Sequence, residues 1–148
     1  MKKIYYPYQA FLKDLKCLVQ QIDQPFDTIV PISRGGLLIG QMLGEYYDIR
    51  KVYTINTIGY NATEKLDKVR VMNLPDLYRS QRVLIVDDIA DSGDTLVEVL
   101  EVLSTHYPKI TFLTATIFCK PTSSIQPTWW VREPQGWIEF FWSEDLRY

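Results

Sequence analysis

The chain has few of the features that mark several large classes of protein. Its two cysteines, Cys17 and Cys119, are too few for a disulfide framework and form no paired-cysteine metal motif. Free thiols suit the reducing cytoplasm. No apolar run approaches the ~20 residues that cross a bilayer, and the basic start at Lys2-Lys3 lacks the apolar segment of a signal peptide. A net charge of −2 gives no bulk attraction to nucleic acid. We therefore expect a cytoplasmic protein with no transmembrane segment and no nucleic-acid partner.

Apolar and aromatic side chains are plentiful, and they make up 47% and 14% of the 148 residues. A chain of this length and composition is expected to form a single domain, residues 1–148, around a hydrophobic core. All four tryptophans lie in the last twenty residues. The C-terminal segment is therefore predicted to have a special packing or binding role.

Strand-like and helix-like segments alternate along the chain. Helical spacing of apolar residues predicts helices at 8–21 and 37–47, and a third over 96–103. Apolar segments rich in β-branched residues predict strands at 28–32, 52–58, 83–86, 110–118 and 129–131. The rest of the C-terminal segment, 134–148, is predicted to be irregular. This order predicts an α/β fold with a mainly parallel central sheet flanked by helices, and such sheets bind ligands beyond the carboxyl ends of their strands.

The most informative segment follows the predicted strand 83–86. Asp87 and Asp88 come directly after this strand, and the hydroxyl- and glycine-rich stretch 91–95 then leads into a helix. Backbone N–H groups at a helix start bind anions, and massed carboxylates need a cation or sugar hydroxyls to offset their repulsion. The segment therefore predicts a site for a phosphorylated sugar with a divalent metal. The simpler alternative, a polar cap on the helix, does not explain the massed acids.

A second candidate loop, Ser33-Arg34-Gly35-Gly36, follows the predicted strand 28–32. The two glycines permit unusual backbone conformations, and the guanidinium of Arg34 offers a fork of donors to phosphate oxygens. An ordinary strand-to-helix turn with a surface arginine is the alternative. Because both loops follow strands of one parallel sheet, we expect them at the same edge of that sheet.

The segment from Val83 to Leu96 resembles the motif by which type I phosphoribosyltransferases bind 5-phosphoribosyl 1-diphosphate (PRPP). It has a branched apolar strand, two acids, two apolar residues and a hydroxyl- and glycine-rich loop. The chain from Thr28 to Trp142 is similar to the short bacterial xanthine-guanine (purine) phosphoribosyltransferases of that family. The resemblance implies the family's fold, with a small C-terminal hood. It also implies a pentosyltransferase of purine salvage, which moves 5-phosphoribosyl from PRPP to N9 of a 6-oxopurine (guanine, xanthine or hypoxanthine). The products are pyrophosphate and a nucleoside 5′-monophosphate.

The resemblance also implies a role for each residue of the acidic segment. Asp87 and Asp88 would hold the ribose 2′- and 3′-hydroxyls, with Asp88 also bound to Mg²⁺ directly or through water. The 5′-phosphate would lie in the loop formed by Asp91, Ser92, Gly93, Asp94 and Thr95. Asp91 would also stand near N7 of the purine, and we predict that it is the general base.

Arg34 and Gly35 would, by the same resemblance, hold the pyrophosphate. In the family a cis peptide bond often precedes the first glycine, which here is the Arg34–Gly35 bond. The polar stretch 59–73 would be a flexible catalytic loop that closes over the pyrophosphate and excludes water. Lys65 is the predicted pyrophosphate-binding residue of this loop and Lys68 the alternative, although polar lysine-rich loops are mostly just solvated.

The base site is predicted within the hood segment, 119–148. Lys120 would contact the 6-oxo group of the purine, Trp137 would stack on its ring, and Ile138 would read the base through its backbone. A hydrophobic C-terminal clasp is the alternative interpretation of these aromatic residues. The choice among guanine, xanthine and hypoxanthine depends on groups near C2 and is left open, with Glu139 adjacent.

Two alternatives to this function remain. A catalytically inactive regulator that binds PRPP or a nucleotide would keep the fold, but it would not need Asp91, Lys120 and Trp137 together. A phosphoribosyltransferase for adenine, orotate or uracil is the second alternative, and Lys120 argues against adenine. The resemblance and the aromatic content also predict a homodimer or homotetramer.

Overall fold

The computed structural model describes residues 1–59 and 69–147 and shows an α/β fold. In chain order the elements are β1 (Lys3–Tyr6), α1 (Tyr8–Gln21), β2 (Thr28–Ser33), α2 (Leu37–Tyr47), β3 (Ile55–Ile58), β4 (Arg70–Val71), β5 (Arg82–Ala90), α3 (Asp94–His106), β6 (Thr111–Cys119), β7 (Trp137–Phe140) and α4 (Phe141–Glu144), with a 3-10 turn at Asp145–Arg147. In this described part of the chain no helix is both long and apolar enough to cross a membrane.

The central sheet has five strands in the order β4-β3-β2-β5-β6. Strands β3, β2, β5 and β6 run parallel to one another, and β4 is antiparallel to β3 at the edge. The predicted mainly parallel sheet flanked by helices is therefore confirmed. Its parallel strands end at one edge, and the two candidate loops follow β2 and β5 at that edge.

Strand β5 is longer than predicted. The sequence indicates a strand that stops at Val86, before the two acids, but β5 continues through them to Ala90. Its pairing with β6 also continues, with Asp87 opposite Thr116 and Ala90 opposite Cys119. The acidic pair is thus part of the sheet, because the backbone of β6 supplies hydrogen-bond partners that override the low strand preference of aspartate.

The two ends of the chain form a second, small sheet that the sequence did not predict. Strand β1 lies parallel to β7, with Lys3 opposite Trp137 and Tyr6 opposite Phe140. The prediction that 134–148 is irregular is therefore wrong, as is the predicted strand at 129–131, where isolated bridges at Trp129 and Arg132 join the chain to β6. Four-residue strands paired across almost the whole chain leave no local periodicity to detect.

The core lies on both faces of the central sheet. Leu84 and Val86 of β5 pack with α1 and α2 in one buried cluster, whereas Val83 and Ile85 pack with α3 in a second cluster. Because both faces of the strand are covered, its apolar residues run continuously instead of alternating with polar ones. The carboxyl edge of the sheet is left for the loops that form the site.

Candidate active site

Asp87 and Asp88 line a cavity of about 220 Å³ at the carboxyl end of β5. Burial, together with the charge of Asp88, raises the pKa of Asp87 well above its usual range. Burial also raises the pKa of Asp88, although hydrogen bonds from Asp87 and from the Ile89 amide partly offset it. Across residues 1–59 and 69–147, no lysine or arginine forms an ion pair with either group. The cavity is thus suited to a ligand that brings a cation or hydroxyl donors.

The loop after β5 forms the rest of this cavity. Gly93 has a φ of 90° and directly precedes α3, so the chain turns sharply from the strand into the helix. The cavity is lined by the loop from Asp91 to Gly93 and by Thr95 and the buried Thr116. Exposed N–H groups at a helix start and hydroxyl donors together suit a phosphate group.

A turn after β6 braces this loop. The amide of Lys120 donates to the carbonyl of Ala90 at 3.0 Å, and the amide of Ser124 donates to the carbonyl of Ser92 at 2.8 Å. The two hydrogen bonds hold the phosphate-type loop against the turn after β6, which contains Lys120 and Ser124. The anion site and the predicted base-binding lysine are therefore parts of one braced unit.

Replacing Gly93 by alanine is expected to destabilise the protein by ~1–3 kcal/mol. An alanine at this position would have to adopt a left-handed backbone conformation, which is strained for a residue with a side chain. Its Cβ would also lie 2.7 Å from the hydroxyl oxygens of both Ser123 and Ser124. Urea unfolding would measure the loss of stability, and calorimetric titration with PRPP would measure a parallel loss of affinity. Gly59→Ala is the matched control, since a Cβ there meets no atom of the described residues within 4 Å. Equal effects of the two substitutions on unfolding would contradict this account.

The loop after β2 lies against the acidic pair. A Cβ on Gly35 would overlap the carboxylate of Asp88, and one on Gly36 would overlap the carbonyl of Val86. The two glycines therefore let this loop approach β5 closely, and they bring the Arg34 segment next to Asp88. The structure has a non-proline cis peptide bond here, at Ser33–Arg34 and not at the Arg34–Gly35 bond that the sequence analysis indicated.

A second pocket, of about 630 Å³, opens beside the first. It is lined by Asp88, Ile89 and Asp91, which also line the smaller cavity, and by the predicted base-site residues Lys120, Trp137 and Ile138. Trp137 is 55% exposed and is thus accessible to a planar ligand. The predicted base site and the predicted phosphate site are therefore adjoining compartments with a shared wall.

Lys120 and Asp91 form an ion pair inside this pocket. Their Nζ and Oδ1 atoms are 2.5 Å apart, and both side chains remain about half exposed. The pair presents a hydrogen-bond donor next to an acceptor. A ligand with a carbonyl beside an N–H would match this arrangement.

Part of the predicted site falls outside the described residues. Lys65 and Lys68, the alternative pyrophosphate-binding residues, both lie there. Ile58, directly before the predicted loop 59–73, pairs with Arg70 of that loop across β3 and β4. Asn73 also accepts a hydrogen bond from the amide of Asn56 at 2.7 Å. These contacts tie the base of the loop to the sheet edge.

Several lining residues were not predicted as parts of the site. Thr116 of β6 lines the smaller cavity beside Asp87 and Asp88, and Met1, Ser143 and Glu144 line the larger pocket. Thr116 comes from a neighbouring strand, and the others come from the two chain ends. No motif or spacing in the sequence marks them, because sheet pairing alone brings them to the site.

The carboxylates do not form a complete metal cage. In the part of the chain that is described, no group of three or more acidic, histidine or cysteine side chains is arranged to hold a metal ion. Asp87 and Asp88 nevertheless supply the oxygen ligands that Mg²⁺ prefers, and Mg²⁺ is commonly held by one or two carboxylates together with substrate phosphates. The residues therefore fit a magnesium ion that arrives with a phosphorylated ligand.

A parallel sheet with an acidic strand end and two phosphate-type loops at one edge defines an enzyme site for a sugar phosphate. Residues 2–148 match the family model for the phosphoribosyl transferase domain. The chain therefore belongs to the phosphoribosyltransferase family, as the resemblance in its sequence predicted.

Individual relatives are similar over most of the chain. The xanthine-guanine phosphoribosyltransferase of Cereibacter sphaeroides is 34% identical, over 82% of this chain and 71% of its own length. That of Nitratidesulfovibrio vulgaris is 31% identical, over 95% of this chain and 85% of its own. Among solved structures, the xanthine-guanine-hypoxanthine phosphoribosyltransferase of Helicobacter pylori has a TM-score of 0.91 and 33% identity, with 99% of this chain and 97% of that chain covered.

Proposed function

We propose that this protein is a purine salvage enzyme that transfers 5-phosphoribosyl from PRPP to N9 of guanine, xanthine or hypoxanthine. The observation that carries the proposal is the Lys120–Asp91 pair at the wall shared by the two pockets. A 6-oxopurine has a carbonyl at C6 beside N7, so its O6 and N7–H edge matches a donor next to an acceptor. The names of the relatives similar to this chain agree with this substrate class.

Residues of the smaller cavity are proposed to hold PRPP. Asp87 and Asp88 would accept hydrogen bonds from the ribose 2′- and 3′-hydroxyls. The 5′-phosphate would be held by Asp91, Ser92, Gly93, Asp94 and Thr95, through backbone amides and hydroxyl groups. Mg²⁺ bound at Asp88 would neutralise charge on the pyrophosphate as it leaves.

Arg34 and Gly35 are proposed to bind the pyrophosphate itself. Gly35 lies against Asp88, so a pyrophosphate held at this loop would also be next to the proposed Mg²⁺ ligand. The guanidinium of Arg34 would supply a forked pair of donors to the phosphate oxygens. Lys65, or Lys68 in its place, would add positive charge from the loop 59–73.

The base is proposed to lie in the larger pocket. Trp137 would stack on the purine, Ile138 would contact it through backbone groups, and Lys120 would donate to O6. Lysine has three donor hydrogens, so Nζ can serve O6 and Asp91 together. The adenine amino group would place a donor against a donor, and this mismatch is the reason we propose 6-oxopurines.

The transfer then needs one proton acceptor. The purine N9 forms a bond to C1 of the ribose, the bond from C1 to the pyrophosphate oxygen breaks, and the proton on N7 passes to Asp91. Positive charge that develops on the ribose ring is offset by the nearby carboxylates and the departing pyrophosphate. Most of the rate enhancement would come from holding the base and sugar in line.

An assay with a panel of bases tests this proposal. The protein, PRPP and Mg²⁺ are incubated with guanine, xanthine, hypoxanthine, adenine or uracil, and pyrophosphate release and nucleotide mass are followed. We expect release with one or more of the three 6-oxopurines and none with adenine or uracil. Release with adenine or uracil alone would indicate a phosphoribosyltransferase for a base other than a 6-oxopurine. Binding of PRPP with no release from any base would indicate the regulatory protein.

The predicted assembly also stays a proposal. We propose a homodimer or homotetramer, for which the exposed aromatic residues Tyr46, Tyr53 and Tyr78 supply apolar surface. Sedimentation velocity over a range of protein concentrations would measure the state.

A further inference from the structure

Asp14 is a buried carboxylate with no role in the proposed transfer. It lies in α1 and is 1% exposed. The hydroxyl of Tyr6 donates to its Oδ2 atom at 2.5 Å, and the guanidinium of Arg132 donates to its Oδ1 atom at 2.6 Å. Burying a carboxylate costs several kcal/mol unless partners compensate it. A buried charge with this cost, which joins the start of the chain to Arg132 near its other end, needs an explanation.

Tyr6 connects Asp14 to β7, the strand that carries Trp137, whose ring is the proposed platform for the purine. It is the last residue of β1, which pairs with β7 so that Ile4 lies opposite Ile138. The amide of Trp137 donates to the carbonyl of Lys2 at 2.8 Å. Because β7 is paired with β1 along its length, the position of β1 also determines where the Trp137 ring stands.

Arg132 connects Asp14 to the other side of the base pocket. Its amide donates to the carbonyl of Ile117, and its carbonyl accepts from the amide of Cys119, both at 3.1 Å. Cys119 ends β6 and directly precedes Lys120. The Arg132 segment is therefore joined to the strand end from which Lys120 enters the pocket.

Tyr6 is held in this arrangement by its surroundings. Its ring packs edge-on against Phe118 at 5.0 Å and against Phe140 at 5.7 Å, between centroids. Burial and the hydrogen bond to Asp14 raise the pKa of Tyr6, so its hydroxyl keeps its proton and donates at physiological pH. The link from β1 to Asp14 is therefore a fixed one.

We infer that Asp14 is a positioning residue for the purine, which sets the spacing between the Trp137 platform and Lys120. The inference rests on the proposed function. The two residues that Asp14 bonds lie outside the base pocket, but Tyr6 is linked through β1 to Trp137 and Arg132 through the end of β6 to Lys120. The PRPP loop shares the Lys120 amide with the base site, but it has a further hydrogen bond, from the Ser124 amide to the Ser92 carbonyl, to which Asp14 makes no contact. Loss of the Asp14 contacts should therefore loosen the base site and leave the PRPP site in place.

Steady-state kinetics of Asp14→Asn test the inference. We expect KM for the purine to rise by about 10-fold or more, because a shift of the platform by an ångström misaligns the ring. The KM for PRPP should change by less than about twofold. Each variant is assayed well below its own unfolding temperature, so that loss of folded protein does not enter the constants.

Tyr6→Phe provides a milder variant, should Asp14→Asn fold poorly. It removes one hydroxyl and keeps the ring, and we expect KM for the purine to rise about threefold or more with KM for PRPP unchanged. If Tyr6 acts through Asp14, adding Tyr6→Phe to Asp14→Asn should cause no further rise. Additive effects in the double variant would contradict the inference.

Asp27→Asn is the matched control. Its carboxylate also collects hydrogen bonds, from the Thr28 hydroxyl and from the amides of Gln81 and Arg82, but at the opposite edge of the sheet. It should lower stability without a selective effect on the purine. The inference is overturned by equal rises in both KM values for Asp14→Asn, by unchanged kinetics, or by the same selective rise for Asp27→Asn. A wild-type protein that transfers to no purine would overturn the proposed function and the inference with it.

Discussion

Asp91→Asn is expected to lower kcat for a 6-oxopurine by ~10²- to 10⁴-fold, the range usual for loss of a general base. Asparagine has nearly the same shape and keeps a carbonyl oxygen near Lys120, but it does not accept the N7 proton. The affinity for PRPP should stay within about threefold, because the loop holds phosphate mainly through backbone amides. Rapid-quench measurement of the first turnover and calorimetric titration with PRPP separate the two effects.

Equal losses in turnover and PRPP affinity would show that Asp91 serves the sugar phosphate instead of the proton. Glu101→Gln is the matched control, since Glu101 is an exposed acid of α3 away from both pockets. It makes the same carboxyl-to-amide change, and its kinetics should match those of the wild type.

Asp88→Asn is expected to abolish binding of PRPP with Mg²⁺ and to stabilise the ligand-free protein by ~0.5–2 kcal/mol. The substitution removes a buried charge from beside Asp87, while the asparagine oxygen can still accept the Ile89 amide hydrogen at 2.8 Å. PRPP and Mg²⁺ at 100 times the dissociation constant should stabilise the wild type by ~2.7 kcal/mol and the variant not at all. Differential scanning calorimetry with and without ligand measures both changes.

The stability of the ligand-free wild type should fall as pH rises through the raised pKa values of Asp87 and Asp88. Between the ordinary carboxyl pKa of 3.8 and those raised values, the folded protein holds protons that the unfolded chain has lost, so unfolding becomes easier with increasing pH. Asp88→Asn should flatten this slope.

Asp27→Asn is a control in which the dependence of stability on pH should change in the opposite direction. Burial tends to raise the pKa of Asp27, but hydrogen bonds from Thr28 and the amides of Arg82 and Gln81 outweigh it and lower the pKa. Asp27 therefore contributes stability above its unfolded pKa that is lost as pH falls. The electrostatic account of the acidic pair would be wrong if both substitutions changed the pH slope in the same direction.

The elements with strong local patterns were predicted well. Helices α1 and α2 occupy the predicted ranges, and the apolar segments of β2, β5 and β6 are strands of a parallel sheet. A helix that buries one face repeats its apolar residues every three or four positions, and a strand buried on both faces is a continuous apolar run. These patterns involve residues that are close together in the sequence, so a single sequence is enough to recognise them.

The candidate residues of the site were predicted from local motifs and the family resemblance, and the structure brings most of those in the described chain together, whereas Arg34 and Asp94 line neither pocket. One cavity is lined by Asp87, Asp88, 91–93 and Thr95, and the next by Lys120 and Trp137. Their roles stay predictions for the experiments above. The position of Lys65 lies outside the described residues.

The sequence alone determined the family, the parallel sheet and the set of candidate residues, because motifs and apolar periodicity are properties of neighbouring residues. The tertiary structure decided where β5 ends, that β1 pairs with β7, and that Asp14 joins Tyr6 to Arg132. Each of these depends on hydrogen bonds between segments far apart in the chain. The partner backbone, and not the local sequence, supplies the free energy that selects them.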